Sequence, residues 1–160
     1  MVIFDKVKRK NMYHPHFDGP LILHDDIGTY APRVHQRIIS KLDFGLRLLY
    51  QTEKRIKLEP LPETMVNEDQ ASATPDLILV DPETEFIHVI IEVCKTTGLK
   101  SDIQKVIKLL DNDLYDIEEG FIHDYKTGKW YRYKANSGGL VEESSWSEVL
   151  ALDLNTFLIS

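Results

Sequence analysis

Two short apolar runs on either side of a charged turn constrain this chain more than any other feature. Leu77-Ile78-Leu79-Val80 is followed by Asp81-Pro82-Glu83-Thr84, and then Ile87 to Ile91 runs into Glu92-Val93-Cys94-Lys95. Runs of this length, rich in Ile and Val and bounded by a proline-bearing polar turn, predict two antiparallel strands. Asp76 opens the first strand and Glu92 closes the second. Strands rise about 3.3 Å per residue, so an acid at the entry of one strand and an acid at the exit of its hairpin partner share a sheet edge. Two acids at one edge are a ligand pair for a hard divalent cation.

With 160 residues, the chain fits one domain that buries a core without disulfides or structural metal. Cys94 is its sole cysteine, which rules out an internal disulfide and a cysteine-based zinc cluster. No apolar run approaches the roughly 20 residues needed to span a bilayer. The start, Met1 to Lys6, contains Asp5 and no long apolar core, so it does not read as a signal peptide and a cytoplasmic location is expected. The net charge of −7 argues against broad electrostatic attraction to nucleic acid, although a localised site remains compatible with it. Basic residues cluster in Lys6-Val7-Lys8-Arg9-Lys10 and in Lys126, Lys129, Arg132 and Lys134. These read as a solvated tail and a solvated hairpin.

Residues 1–30 read as an N-terminal arm with one short strand at Leu21-Ile22-Leu23, and residues 31–160 as a single domain. Val34, Ile38, Leu42, Leu46 and Leu49 recur at spacings of four and three, predicting an amphipathic helix over 32–50. Between Lys54 and Met65, alternation at Ile56, Leu58 and Leu61 is interrupted by Pro60 and Pro62, which points to an edge strand. After Lys95, Thr96-Thr97-Gly98 ends the second motif strand. Ser101-Asp102-Ile103-Gln104 has the form of a capping box, and Ile103, Val106, Ile107 and Leu110 give the ensuing helix its apolar face. Gly120 to Asp124 and Trp130 to Tyr133 read as hairpin strands around Lys126-Thr127-Gly128-Lys129. Trp146, Val149, Leu150, Leu152, Leu154 and Phe157 are expected to pack a terminal segment onto the body.

The resulting order is helix, three strands, helix, two strands. Together with Pro75-Asp76 and Glu92 to Lys95, it resembles the PD-(D/E)xK nucleases of the restriction-endonuclease-like superfamily. The span from His35 to Phe157 is similar to the Uma2 branch in His35-Gln36, Pro75-Asp76, Glu92-Val93, Asp102, and Phe121 to Asp124 with its hairpin. The resemblance implies an α/β fold with an α-β-β-β-α-β core, a mixed sheet flanked by helices, and an extra C-terminal β-hairpin. It further implies Mg²⁺ or Mn²⁺ held by Asp76 and Glu92, DNA as the substrate, and a chain for which a homodimer is reasonable.

A lysine completes such sites by stabilising charge on the transferring phosphoryl group. In the superfamily it stands two residues after the second acid, where this chain has Cys94. Lys95 is one position late, and strand alternation turns it away from Glu92 unless the strand bulges at Cys94. In the Uma2 branch a lysine on the following helix substitutes, which here singles out Lys105 after a one-residue slip. The apolar face of Ile103, Val106 and Ile107 turns Lys105 toward solvent. Lys95 therefore ranks first and Lys105 second. Two other readings stand beside hydrolysis of DNA: a degenerate member that binds a protein or nucleic acid without catalysis, and hydrolysis of another phosphate ester. Cys94 reads as a small buried hydrophobe, His35 as a helix-end residue with a substrate-side contact as the alternative, His14 and His16 as incidental, and Trp130, Tyr131 and Tyr133 as cross-strand packing with base stacking as the alternative.

Overall fold

Pro32 presets the chain for its first helix, since its missing N–H is one that a helix start leaves unpaired in any case. A computed structural model of the chain describes residues 32–67 and 73–159; the expected arm, its short strand, the Lys6 to Lys10 run, His14 and His16 lie outside them. Helix α1, Arg33–Arg47, begins with the Pro32 carbonyl accepting from the Gln36 N–H at 3.1 Å. It runs into a wider turn at Leu48–Thr52, where the Glu53 N–H reaches the Leu48 carbonyl. Its buried side chains are Ile39, Leu42 and Leu46, continued by Leu49. Val34 is exposed and Ile38 only half-buried, so the buried stripe enters one residue later than its spacing predicted.

Strands β1 (Glu59–Pro62), β2 (Leu77–Val80), β3 (Ile87–Cys94), β4 (Glu119–Asp124), β5 (Lys129–Lys134) and β6 (Val141–Glu142) form one sheet in sequential order. All neighbours are antiparallel except β3 and β4. That parallel pair requires a crossover, supplied by helix α2, Leu99–Leu110. The proline-bearing β1 takes the edge, where a missing donor is tolerated. The β2–β3 turn is held by the Asp81 carboxylate, which accepts the Glu83 N–H at 2.8 Å.

Alternation sorts β2 and β3 between two cores. Leu77, Leu79, Val89, Ile91 and Val93 pack with α1, Phe121 and Trp130, whereas Ile78, Val80, Ile90 and Cys94 pack with Val106, Leu109 and Leu110 of α2. A sheet covered on both faces has apolar strands rather than alternating ones, which is why the β2 and β3 sequences read as continuous runs. Gly120 lets α2 lie close: a Cβ there would fall 2.3 Å from Val106 Cγ1.

Helix α2 starts at Leu99 with Gly98 as its cap residue and no side-chain cap. The expected capping box is therefore inside the helix, where Ser101 faces no free N–H. In the basic hairpin Lys126 and Lys129 are exposed as expected, but Arg132 is not. Arg132 is buried, donating to the Trp146 carbonyl at 3.0 Å and to Glu142 at 2.6 Å, while Lys129 and Lys134 pair with Glu143 and Glu148. Buried Glu119 accepts the Ser147 hydroxyl at 2.6 Å and the Glu148 N–H at 2.8 Å, tying down the terminal segment. That segment forms the two-stranded β7 (Trp146–Ser147) and β8 (Leu152–Asp153), and then lays Phe157 over Gly45 of α1. Trp146, expected to pack, is 48% exposed. No described helix is long and apolar enough to cross a membrane.

Candidate active site

One step beyond the last paired residues, Leu77 and Ile91, brings Asp76 opposite Glu92. By alternation both acids share parity with Ile78 and Ile90, so they belong to the face covered by α2. Asp76 is anchored across the strands: its Oδ2 accepts the Val93 N–H at 2.7 Å and lies 3.2 Å from His35 Nε2, at the start of α1. Both contacts fall on Oδ2. The hydrogen bond to Asp76 raises the His35 pKa, outweighing the burial that opposes it.

Glu92 is 3% exposed. Burial pushes its carboxyl up to about 8, against the pull of the Lys105 ammonium, and the neighbouring Asp76 charge adds to the rise. Lys105 Nζ lies 2.5 Å from Glu92 Oε1, so the buried carboxyl has an ammonium as its immediate partner. The same ammonium donates at 3.4 Å to the Thr74 carbonyl, two residues before Asp76. Asp102, on the first turn of α2, is raised chiefly by burial, with Lys105 opposing. The Cys94 thiol, buried and surrounded by Asp102, Asp124, Glu92 and Asp76, is pushed up to about 12, so it is no thiolate nucleophile.

Of the two lysines singled out from sequence, Lys105 is brought against Glu92. Lys95 follows β3 in an extended conformation, φ −92° and ψ 158°. The pairing of Val93 with His123 and Cys94 with Asp124 is unbroken. The bulge that could have turned Lys95 back is therefore not at Cys94; the one irregularity between β2 and β3 falls between Leu79 and Val80. Alternation keeps Lys95 on the parity of Val93, opposite Glu92. Lys105, next to buried Val106, reaches inward because a lysine stem extends along apolar surface while its head finds charge, a reach that the helix's apolar stripe does not reveal.

Trp130 and Tyr133 are buried. Trp130 packs edge-on to Phe121 at 6.5 Å and donates to Asn155, and Tyr133 donates to the Asp111 carboxylate at 2.7 Å. They are core residues and offer no stacking surface. His35 is the site residue that sequence reasoning left undecided; the signal for it was a histidine at the helix start, one residue past Val34 of the predicted stripe.

Among the described residues no three His, Cys, Asp or Glu side chains converge as a ready metal cage. Two carboxylates still fit Mg²⁺, which usually takes one or two protein carboxylates and keeps several waters. The Asp76 charge adds to the rise in the Glu92 pKa, and a cation between the two carboxylates removes that repulsion.

No family model matches the chain, and no curated protein matches it. A crystal structure from Anabaena variabilis, described as "a putative nuclease belonging to DUF820", superposes with a TM-score of 0.53 over 81% of this chain and 84% of that one, at 15% identity. The α-β-β-β-α-β core, the mixed sheet with a helix on each face and the shared architecture together make this a restriction-endonuclease-like fold.

Proposed function

We propose that this protein is a nuclease that hydrolyses phosphodiesters with a divalent metal, with DNA as the substrate. The observation that carries the reading is the convergence of two opposed carboxylates and an ammonium, Asp76, Glu92 and Lys105, on one sheet edge. Asp76 and Glu92 are the residues that would hold Mg²⁺ or Mn²⁺, which when bound neutralises phosphoryl charge and lowers the pKa of water. The protein's own groups do the rest. The Val93 N–H and His35 fix Asp76 through Oδ2. Lys105 supplies a positive charge beside Glu92, suited to stabilising the charge that develops on the transferring phosphoryl group. A nuclease reading also agrees with the description of the Anabaena structure that shares the fold.

A second reading is a binding module without catalysis. Its support is that Glu92 already has an internal cation in Lys105, and Asp76 a partner in His35. The two readings separate on Asp76→Ala. A nuclease loses Mg²⁺- or Mn²⁺-dependent cleavage of plasmid and oligonucleotide substrates, by on the order of 10²-fold or more, while its unfolding transition persists. Cleavage unchanged in the variant, or no cleavage by the parent with either metal, rejects the nuclease reading.

A further inference from the structure

Helix α2 carries a polar ridge of which the carboxylate pair engages only Lys105. Ser101, Gln104, Lys105 and Lys108 share one helix face, and with Ala73 and Leu109 they line an open groove of about 350 Å³. Among the described residues its polar lining is a hydroxyl, an amide and two ammoniums, without a carboxylate. That is unusual in a chain of net charge −7, whose basic hairpin is paired with Glu142, Glu143 and Glu148. The groove is at the small end of ligand sites, which run from roughly 300 to 1,000 Å³, a size suited to a nucleotide unit. Buried Leu109 and half-buried Ala73 give it an apolar floor for a sugar or base.

Lys105 joins this groove to the candidate active site: it lines the groove while its ammonium lies against Glu92 and donates to Thr74 just ahead of Asp76. We infer that the groove holds the backbone of a polynucleotide strand next to the phosphate facing the carboxylates. Lys108 is its main charged contact, and Ser101 and Gln104 donate to phosphate oxygens. Lys105 and Lys108 stand one turn apart, their Cβ atoms on the order of 5–6 Å from each other, a spacing that suits neighbouring phosphates of one strand. The ligand class rests on the nuclease reading, whereas the binding requires neither metal nor hydrolysis.

The test is anisotropy of a fluorescently labelled oligonucleotide, single-stranded and duplex, titrated with the full chain in EDTA over a range of salt. Lys108→Ala, at an exposed position, is expected to keep the parent's unfolding transition. It should weaken binding roughly 3- to 10-fold and lower the salt slope by about one phosphate contact; Lys108→Arg should restore both. Unchanged affinity and slope in Lys108→Ala, absence of binding by the parent, or equal competition by polyglutamate overturns the inference, the last by pointing to acidic peptides. Failure here is separable from failure of the nuclease reading. Cleavage with a KM indifferent to Lys108→Ala removes the groove and keeps the nuclease; Lys108-dependent binding without cleavage does the reverse.

Discussion

Replacing Glu92 by Gln tests the electrostatics of the site without any assumption about substrate. Burial raises the Glu92 carboxyl from its ordinary 4.5 to about 8. Between those values the folded protein holds a proton that the unfolded chain has released, so the stability of the metal-free protein declines as pH rises through that window. Each unit of difference is worth about 1.4 kcal/mol, so the loss from this one group reaches ~3 kcal/mol at pH 7, most of the interval having then been crossed. Gln does not titrate. The variant should therefore gain on the parent as pH rises, by ~3 kcal/mol between pH 4.5 and 7, even though it gives up the contact with Lys105. Asp102, whose pKa is also raised, tilts both proteins the same way and cancels in the difference to first order, while His35, raised chiefly by Asp76 and least by Glu92, leaves a smaller residual. The assay is urea unfolding in EDTA at several pH values, comparing midpoints at a common slope. Mn²⁺ should then stabilise the parent at pH 8 and leave Glu92→Gln unmoved, because a proton and a metal compete for the same carboxylate. Parallel stability profiles for parent and variant from pH 4.5 to 8 would refute the reasoning.

Two further outcomes follow from the packing. Gly120→Ala pushes a Cβ to 2.3 Å from Val106 Cγ1 and 3.2 Å from Leu110 Cδ1, and should cost ~1–3 kcal/mol by overpacking; thermal melts check it, with Val106→Ala in the same background expected to recover part of the loss. Cys94, buried with a thiol near 12, should resist iodoacetamide at pH 8 in the folded protein and react readily in guanidinium, as read by mass spectrometry.

What could be read from the sequence divides along a physical line. Strand positions were legible because β2 and β3 lie between two helices and so carry apolar residues at nearly every step, and because prolines in β1 restrict it to an edge. The start of α2 was not. Ser101 and Gln104 have capping chemistry, but Leu99 and Lys100 are good helix formers, and with Gly98 as the cap residue the first turn forms ahead of them. The character of the basic hairpin was hidden for a different reason. The acids that neutralise it, Glu142, Glu143 and Glu148, follow ten or more residues later and meet it only through tertiary pairing.

The two acids and the lysine of the candidate site fall on either side of the same line. Asp76 and Glu92 are fixed by backbone: antiparallel pairing and a period of two determine that they are opposed and on which face, and both can be counted along the chain. The lysine is fixed by side-chain reach. Counting favours Lys95, whose backbone is nearer to Glu92 in sequence, but the unbroken β3–β4 pairing holds it on the opposite parity, and recovering it would require a bulge that the ladder does not contain. Counting disfavours Lys105, whose neighbours Ile103, Val106 and Ile107 face the core. Yet a helix crossing the α2 face of the sheet carries the base of that side chain close to Glu92, and the ammonium needs only to follow its stem to the buried charge. The desolvation that makes an unpartnered Glu92 costly draws the lysine in from whichever element can supply it. A shift of the lysine from strand to helix therefore leaves the charge arrangement of the site intact while erasing its signature along the strand.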